Sequence, residues 1–135
     1  VDLFLLDLWT GKASLDKLGA AGSYLMQAEG LSLLGGDALP LGILENVESG
    51  EKLMQLHQGD TLILLSDGVE DAYENRQSME ETIRDALTLE TAQDAANAIL
   101  TGAQSGDTAP ADDQTVLVLR LIRARVDAKI EEMYQ

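Results

Sequence analysis

Two apolar runs bounded by acids constrain this chain more than anything else in it. Leu62-Ile63-Leu64-Leu65 runs into Ser66-Asp67-Gly68-Val69-Glu70-Asp71-Ala72. Further on, Ala111-Asp112-Asp113-Gln114-Thr115 opens Val116-Leu117-Val118-Leu119. Short apolar runs closed by turn residues read as buried strands. A carboxylate at a strand end costs desolvation unless it is paired, hydrogen-bonded or metal-bound. Carboxylates gathered where strand ends meet are also how a domain builds a divalent-cation site. Each motif alone has a plainer reading: Asp67-Gly68 as a turn, Asp112-Asp113 as a solvated loop behind Pro110. Two such ends in one small domain point instead to a shared site.

Position in the chain removes two rivals. A haloacid-dehalogenase nucleophile needs a second Asp two residues before Asp67, where Leu65 stands. A receiver domain closes a strand on an acid pair that comes before its strand-terminal Asp. Here the pair comes after and opens a strand.

The rest of the chain reads as strands first and helices second. Residues 2–9 and 13–19 alternate around Trp9-Thr10-Gly11-Lys12 and read as a hairpin. Short strands are expected at about 23–28 and 31–34, then a turn at Leu39-Pro40-Leu41-Gly42 and a polar loop over 45–50. Glu51–Leu56 and Thr61–Leu65 read as a further strand pair across Gln58-Gly59-Asp60. After Asp67 the period changes. Ser78-Met79-Glu80-Glu81 has capping-box spacing, with Met79, Ile83, Ala86 and Leu87 on one helical face. Thr91 caps a second helix with the stripe Ala92, Ala95, Ala96, Ile99, Leu100 and Ala103. A loop follows over 105–111, then a last strand over Val116–Leu121. Residues 123–135 read as an amphipathic tail helix carrying Val126, Ile130 and Met133. This order predicts an α+β layered domain over residues 1–122 with the tail over 123–135.

Five blocks, in this order, resemble the SpoIIE branch of the metal-dependent (PPM, type 2C) protein phosphatases. They are Asp2-Leu3-Phe4-Leu5-Leu6-Asp7-Leu8, then Lys17-Leu18-Gly19-Ala20-Ala21-Gly22-Ser23-Tyr24-Leu25, then Leu39-Pro40-Leu41-Gly42-Ile43, then Gly59-Asp60-Thr61-Leu62, then the two acid motifs. The resemblance extends from about residue 2 to about residue 122. Gly22 departs from the family pattern, which has Pro there, a change expected to affect a loop and not the chemistry. The family fold also has an earlier half whose Gly-Asp and Asp-Gly carboxylates bridge two metals, and nothing in these residues supplies them. The resemblance therefore implies part of a PPM-type β-sandwich flanked by helices, with the first half missing and this segment alone incomplete as an enzyme.

The activity it implies is hydrolysis of phosphoserine or phosphothreonine on a partner protein by a water activated between two Mn²⁺ or Mg²⁺ ions. Asp67 and Asp112 would be the catalytic, metal-ligating carboxylates of this half. Asp113 would orient Asp112 or a metal-bound water, and Gly68 would let the backbone pass close to the metal. The implied substrate is a phosphorylated anti-sigma-factor antagonist in sporulation, and the implied parent is membrane-anchored. A catalytically inactive phosphoprotein-binding or acidic interaction module is the competing reading.

Other side chains read structurally. His57, the only histidine, reads as a surface or hairpin residue, and Asp60 as a hairpin residue. Glu70 and Asp71 read as helix caps, Ser66 as a partner for neighbouring backbone, and Trp9 as core or turn cover.

Composition agrees with a cation-dependent site. The formal net charge of −15 repels nucleic acid and repels a phosphorylated substrate equally, so cations must bring the phosphate in. There is no cysteine, which excludes disulfides and thiolate metal sites and fits a reducing cytoplasm. No apolar run approaches the roughly 20 residues that span a bilayer, so no membrane contact by this segment is expected. Loss of a first half would leave residues 2–8 as an uncovered apolar edge, and self-association is expected from it.

Overall fold

The computed structural model describes residues 2–17, 22–34, 43–45, 51–105 and 113–122. Eight strands form two antiparallel four-stranded sheets. The first has the order β1 (Asp2–Leu6), β2 (Lys12–Lys17), β6 (Glu51–Gln55), β5 (Ile43–Glu45). The second has the order β4 (Gly30–Leu34), β3 (Ser23–Gln27), β7 (Thr61–Leu65), β8 (Val116–Arg120). Three helices follow β7: α1 (Asp67–Ala72), α2 (Arg76–Ala86) and α3 (Ala92–Gln104).

The period-two geometry of strands divides the apolar residues between two cores. On β3 and β7, Leu25 and Leu62 face the first sheet and join Ala13, Leu15, Leu34, Met54 and Leu56. Their neighbours Tyr24 and Ile63 face the opposite way, with Leu65, and meet the helices. Val69 of α1, Met79, Ile83 and Ala86 of α2, and Ala95, Ile99 and Ala103 of α3 complete that second core. The layers are thus sheet, sheet, helices. Strand β7 is unbroken Leu and Ile from Leu62 to Leu65 because it is covered on both faces.

Among the described residues, the first sheet packs through one face. Phe4 and Leu6 pack inward, while Leu3 and Leu5 are 51% and 59% exposed. Strand β1 lies at one edge of its sheet and β8 at one edge of the other, where Leu117 and Leu119 are exposed. Of the apolar residues over 2–8, Leu3, Leu5 and Leu8 are exposed. Among the described residues, no helix is long and apolar enough to cross a membrane.

Several expectations need correction. The β1–β2 hairpin is shorter than its alternation because Asp7 folds the turn. Its Oδ1 accepts from Trp9 N at 2.9 Å and from Thr10 N at 3.3 Å. Gly11 adopts φ 74° there, and a Cβ would run into the Leu56 carbonyl. Trp9 is neither core nor cover: the turn projects past the sheet end and leaves it 97% exposed.

Strands β6 and β7 do not pair. Strand β6 lies between β2 and β5, and β7 lies between β3 and β8, so the segment joining them crosses from one sheet to the other. Asp60 makes that crossing compact by accepting from His57 N at 2.8 Å and from Gln27 Nε2 at 3.1 Å. His57 is an exposed surface residue, as expected, whereas Asp60 sits in a crossing between sheets and not in the expected hairpin. A three-residue strand, β5, stands where the sequence reads as the approach to a loop.

The helical phase over 78–87 is as expected, but its cap is not. The Asn75 side chain, not Ser78, caps α2, accepting from Ser78 N at 2.8 Å. Thr91 caps α3 as expected, accepting from Asp94 N at 3.0 Å. The turn at 39–42, the loop residues 106–112 and the tail over 123–135 lie outside the described residues.

Candidate metal centre

Antiparallel pairing brings the two acid motifs to one place. Leu65 at the end of β7 is the register partner of Val116 at the start of β8. Whatever follows β7 must then lie beside whatever precedes β8. Ser66 closes that joint: its N–H donates to Thr115 O at 3.0 Å, and its Oγ accepts from Thr115 N at 2.9 Å. The same Oγ donates to Asp113 O at 3.2 Å. Ser66 thus does bond neighbouring backbone, and the backbone it bonds belongs to the second acid motif. One residue further on, Gln114 Nε2 donates to Gly68 O at 3.3 Å.

Asp67 is the first residue of α1, at the exposed mouth of this joint. Its carboxylate makes no hydrogen bond or ion pair among the described residues. Asp113 is exposed on the facing segment, and Asp112 lies outside the described residues. Gly68 is buried, with its carbonyl turned to Gln114. The structure therefore brings Asp67, Gly68 and Asp113 to one joint.

A helix of six residues is too short to hold itself, so α1 depends on anchors. Val69 is fully buried in the helix-side core. Glu70, half-buried, reaches across the fold, and its Oε2 accepts from Gly22 N at 3.1 Å. Glu70 and Asp71 are consequently not caps. The helix begins earlier than the sequence suggests, so both lie inside it, Glu70 against the start of β3 and Asp71 exposed. Gly22, expected to matter only to a loop, supplies the N–H that Glu70 binds. Gln114 and the Gly22–Glu70 contact have no signature in the sequence, since each joins residues more than forty positions apart.

The donors suit a hard cation. Asp67 offers an accessible, unengaged carboxylate, and oxygen is the preferred ligand of magnesium and manganese. Among the described residues, no three Asp, Glu or His side chains gather to form a complete set. The joint accordingly fits one wall of a cation site.

The profile of the family described as Stage II sporulation protein E (SpoIIE) matches residues 1–122. This chain belongs to the SpoIIE family. Among solved structures, the phosphatase domain of the cell fate determinant SpoIIE from Bacillus subtilis superposes with a TM-score of 0.68 at 23% identity. That match covers 92% of this chain and 59% of the other. A manganese-presoaked form of the same domain gives 0.68 at 25% identity, covering 90% and 56%. The catalytic domain of the serine threonine protein phosphatase PstP, in complex with two manganese ions, gives 0.66 at 20% identity, covering 88% and 56%. No curated protein sequence matches the chain. The fold of this SpoIIE-family chain is thus that of PP2C phosphatase domains, and the chain spans less than two thirds of their length.

Proposed function

We propose that this SpoIIE-family chain forms one wall of a metal-dependent protein serine/threonine phosphatase centre. The observation that carries the reading is the β7–β8 joint, which ties Ser66, just before Asp67, to the backbone of Asp113 and Thr115. Asp67 and Asp112 serve as hard oxygen ligands, and Asp113 orients Asp112 or a bound water. Ser66 and Thr115 hold the two segments at a fixed separation, and Gln114 holds the turn at Gly68 against them. Asp67 and Asp112 would hold part of a manganese or magnesium site, and cations bound there would acidify a water and offset charge on the phosphoryl oxygens. The substrate is a phosphoserine or phosphothreonine on a partner protein. An anti-sigma-factor antagonist in the cytoplasm fits the family's name in sporulation. At a net charge of −15 the protein repels such a substrate without cations.

Mn²⁺ titration and phosphopeptide hydrolysis by the protein carrying this chain, with Asp67→Asn and Asp112→Asn variants, test the reading. Each variant should weaken Mn²⁺ binding and abolish turnover. Unchanged Mn²⁺ affinity in both would refute it. Mn²⁺-dependent capture of phosphopeptide without hydrolysis would identify an inactive binding module instead.

A further inference from the structure

The short helix α1 carries Asp67 at its first position and Glu70 at its fourth, one turn apart. Its chain continues extended at Tyr73, so no longer helix stiffens it. Val69 fixes its depth by burial, and the Gln114 bond fixes the Gly68 carbonyl. Ser66, just before Asp67, is tied to Asp113 and Thr115 and so fixes where the helix starts, but all of these bonds lie on the β8 side of the helix. Glu70 supplies the bond on the other side, one turn along: a half-buried carboxylate is costly to leave unpaired, and its partner is the backbone N–H of Gly22, which leads directly into β3. Strand β3 is central in its sheet, flanked by β4 and β7, and makes a rigid reference.

We infer that Glu70 is a positioning residue for the cation site, its bond to the Gly22 N–H orienting the first turn of α1 and with it the Asp67 carboxylate. The inference rests on the reading of Asp67 as a metal ligand. A proline at 22 has no N–H to offer Glu70, whereas glycine has. Alanine would also serve: a Cβ at Gly22 meets Tyr24, Glu70 and Leu33 at 3.4–3.5 Å, ordinary contact, and the backbone there has no positive φ.

The test is Mn²⁺ titration of the chain, followed by paramagnetic broadening of backbone amide signals, with thermal stability measured alongside. Groups that orient metal ligands contribute roughly 10–100-fold in affinity. Glu70→Ala and Gly22→Pro should each raise the Mn²⁺ concentration needed to broaden Asp67 and Gly68 by about tenfold. The double variant should be no worse than either single one, because both remove the same bond. Glu70→Gln, which keeps an acceptor oxygen, and Gly22→Ala, which keeps the donor, should restore affinity to within about twofold of the parent, a rescue that a general loss of packing would not show. Wild-type affinity in Glu70→Ala would overturn the inference even if Gly22→Pro failed to fold. So would a Gly22 amide signal that is unmoved in Glu70→Ala, since the tether would then not exist. If Asp67→Asn leaves the broadening pattern unchanged while the Gly22 amide does respond to Glu70→Ala, the tether stands and the metal reading of Asp67 is what has failed, taking the positioning role with it.

Discussion

Replacing Arg120 should cost the domain more than a partly exposed strand residue ordinarily does. Arg120 ends β8, and its guanidinium reaches the carbonyls that close α2. Nη2 donates to Leu87 O at 3.2 Å, and Nη1 donates to Leu89 O at 3.2 Å and to Glu90 O at 3.1 Å. Those carbonyls lie past the last turn of α2 and before Thr91 starts α3, where helix ends leave carbonyls without partners. A hydrogen bond from a charged donor contributes about 1.5–3 kcal/mol when both groups are shielded, so three would sum to well over 4 kcal/mol. Leu89 is 41% exposed and Glu90 is exposed, so water can replace Arg120 at two of the three. The expected loss for Arg120→Ala is therefore about 2 kcal/mol, most of it from the half-buried Leu87 carbonyl and the aliphatic stem. In a domain of this size that is a fall of roughly 6 °C in midpoint. Arg120→Lys should lose about 1 kcal/mol, because a single ammonium cannot span three carbonyls. Urea denaturation should be followed by far-ultraviolet circular dichroism, since the lone tryptophan, Trp9, is exposed in the folded state and reports little. An unchanged denaturant slope with a shifted midpoint is expected. A loss below about 0.5 kcal/mol in Arg120→Ala, or full recovery in Arg120→Lys, would show that the carbonyls are satisfied by water alone.

Gly102→Ala should destabilise by about 1–3 kcal/mol despite better helix propensity. Its Cβ would sit 2.5 Å from the Tyr73 hydroxyl, which donates to Ile99 O at 2.6 Å. Tyr73→Phe should relieve part of that loss, and strictly additive effects would contradict the clash. Tyr24 is fully buried, and burial, reinforced by the Glu80 carboxylate, pushes its phenol up to about 12. Because the folded state holds that proton above the ordinary value of 10.0, the unfolded chain ionises first. Stability from Tyr24 is then intact below pH 10 and declines as pH rises towards 12. Ultraviolet titration showing every tyrosine ionising at the ordinary value would refute this. The open edge at β1, with Leu3 and Leu5 exposed, should make the chain self-associate at moderate salt, and Leu5→Lys should suppress it. A clean monomer by light scattering would show that the edge is harmless as it stands.

Local chemistry and periodicity determine much of this molecule. The Leu62–Leu65 run, the stripe from Ala92 to Ala103 and the Thr91 cap depend on neighbours within one or two turns, so residue types alone determine them. The acid motifs were legible for the same reason: each is a strand end and its next few residues. The convergence of Asp67 with the facing segment was inferable from two acid-bounded strand ends in one small domain and from the family's order of parts. It becomes physical through the Leu65–Val116 register, which no local pattern encodes. Strands β6 and β7 look like a hairpin because a short turn separates them, yet they belong to different sheets. Strand β7 pairs with β3 and β8, and β6 with β2 and β5, partners distant in sequence that no local window identifies. Trp9 reads as core or turn cover from its hydrophobicity and is exposed in the turn that Asp7 closes. The bond from Gly22 to Glu70 exists only once two sheets and a helix have packed. A hydrogen bond between residues forty-eight positions apart is a property of the fold, and no window of sequence contains it.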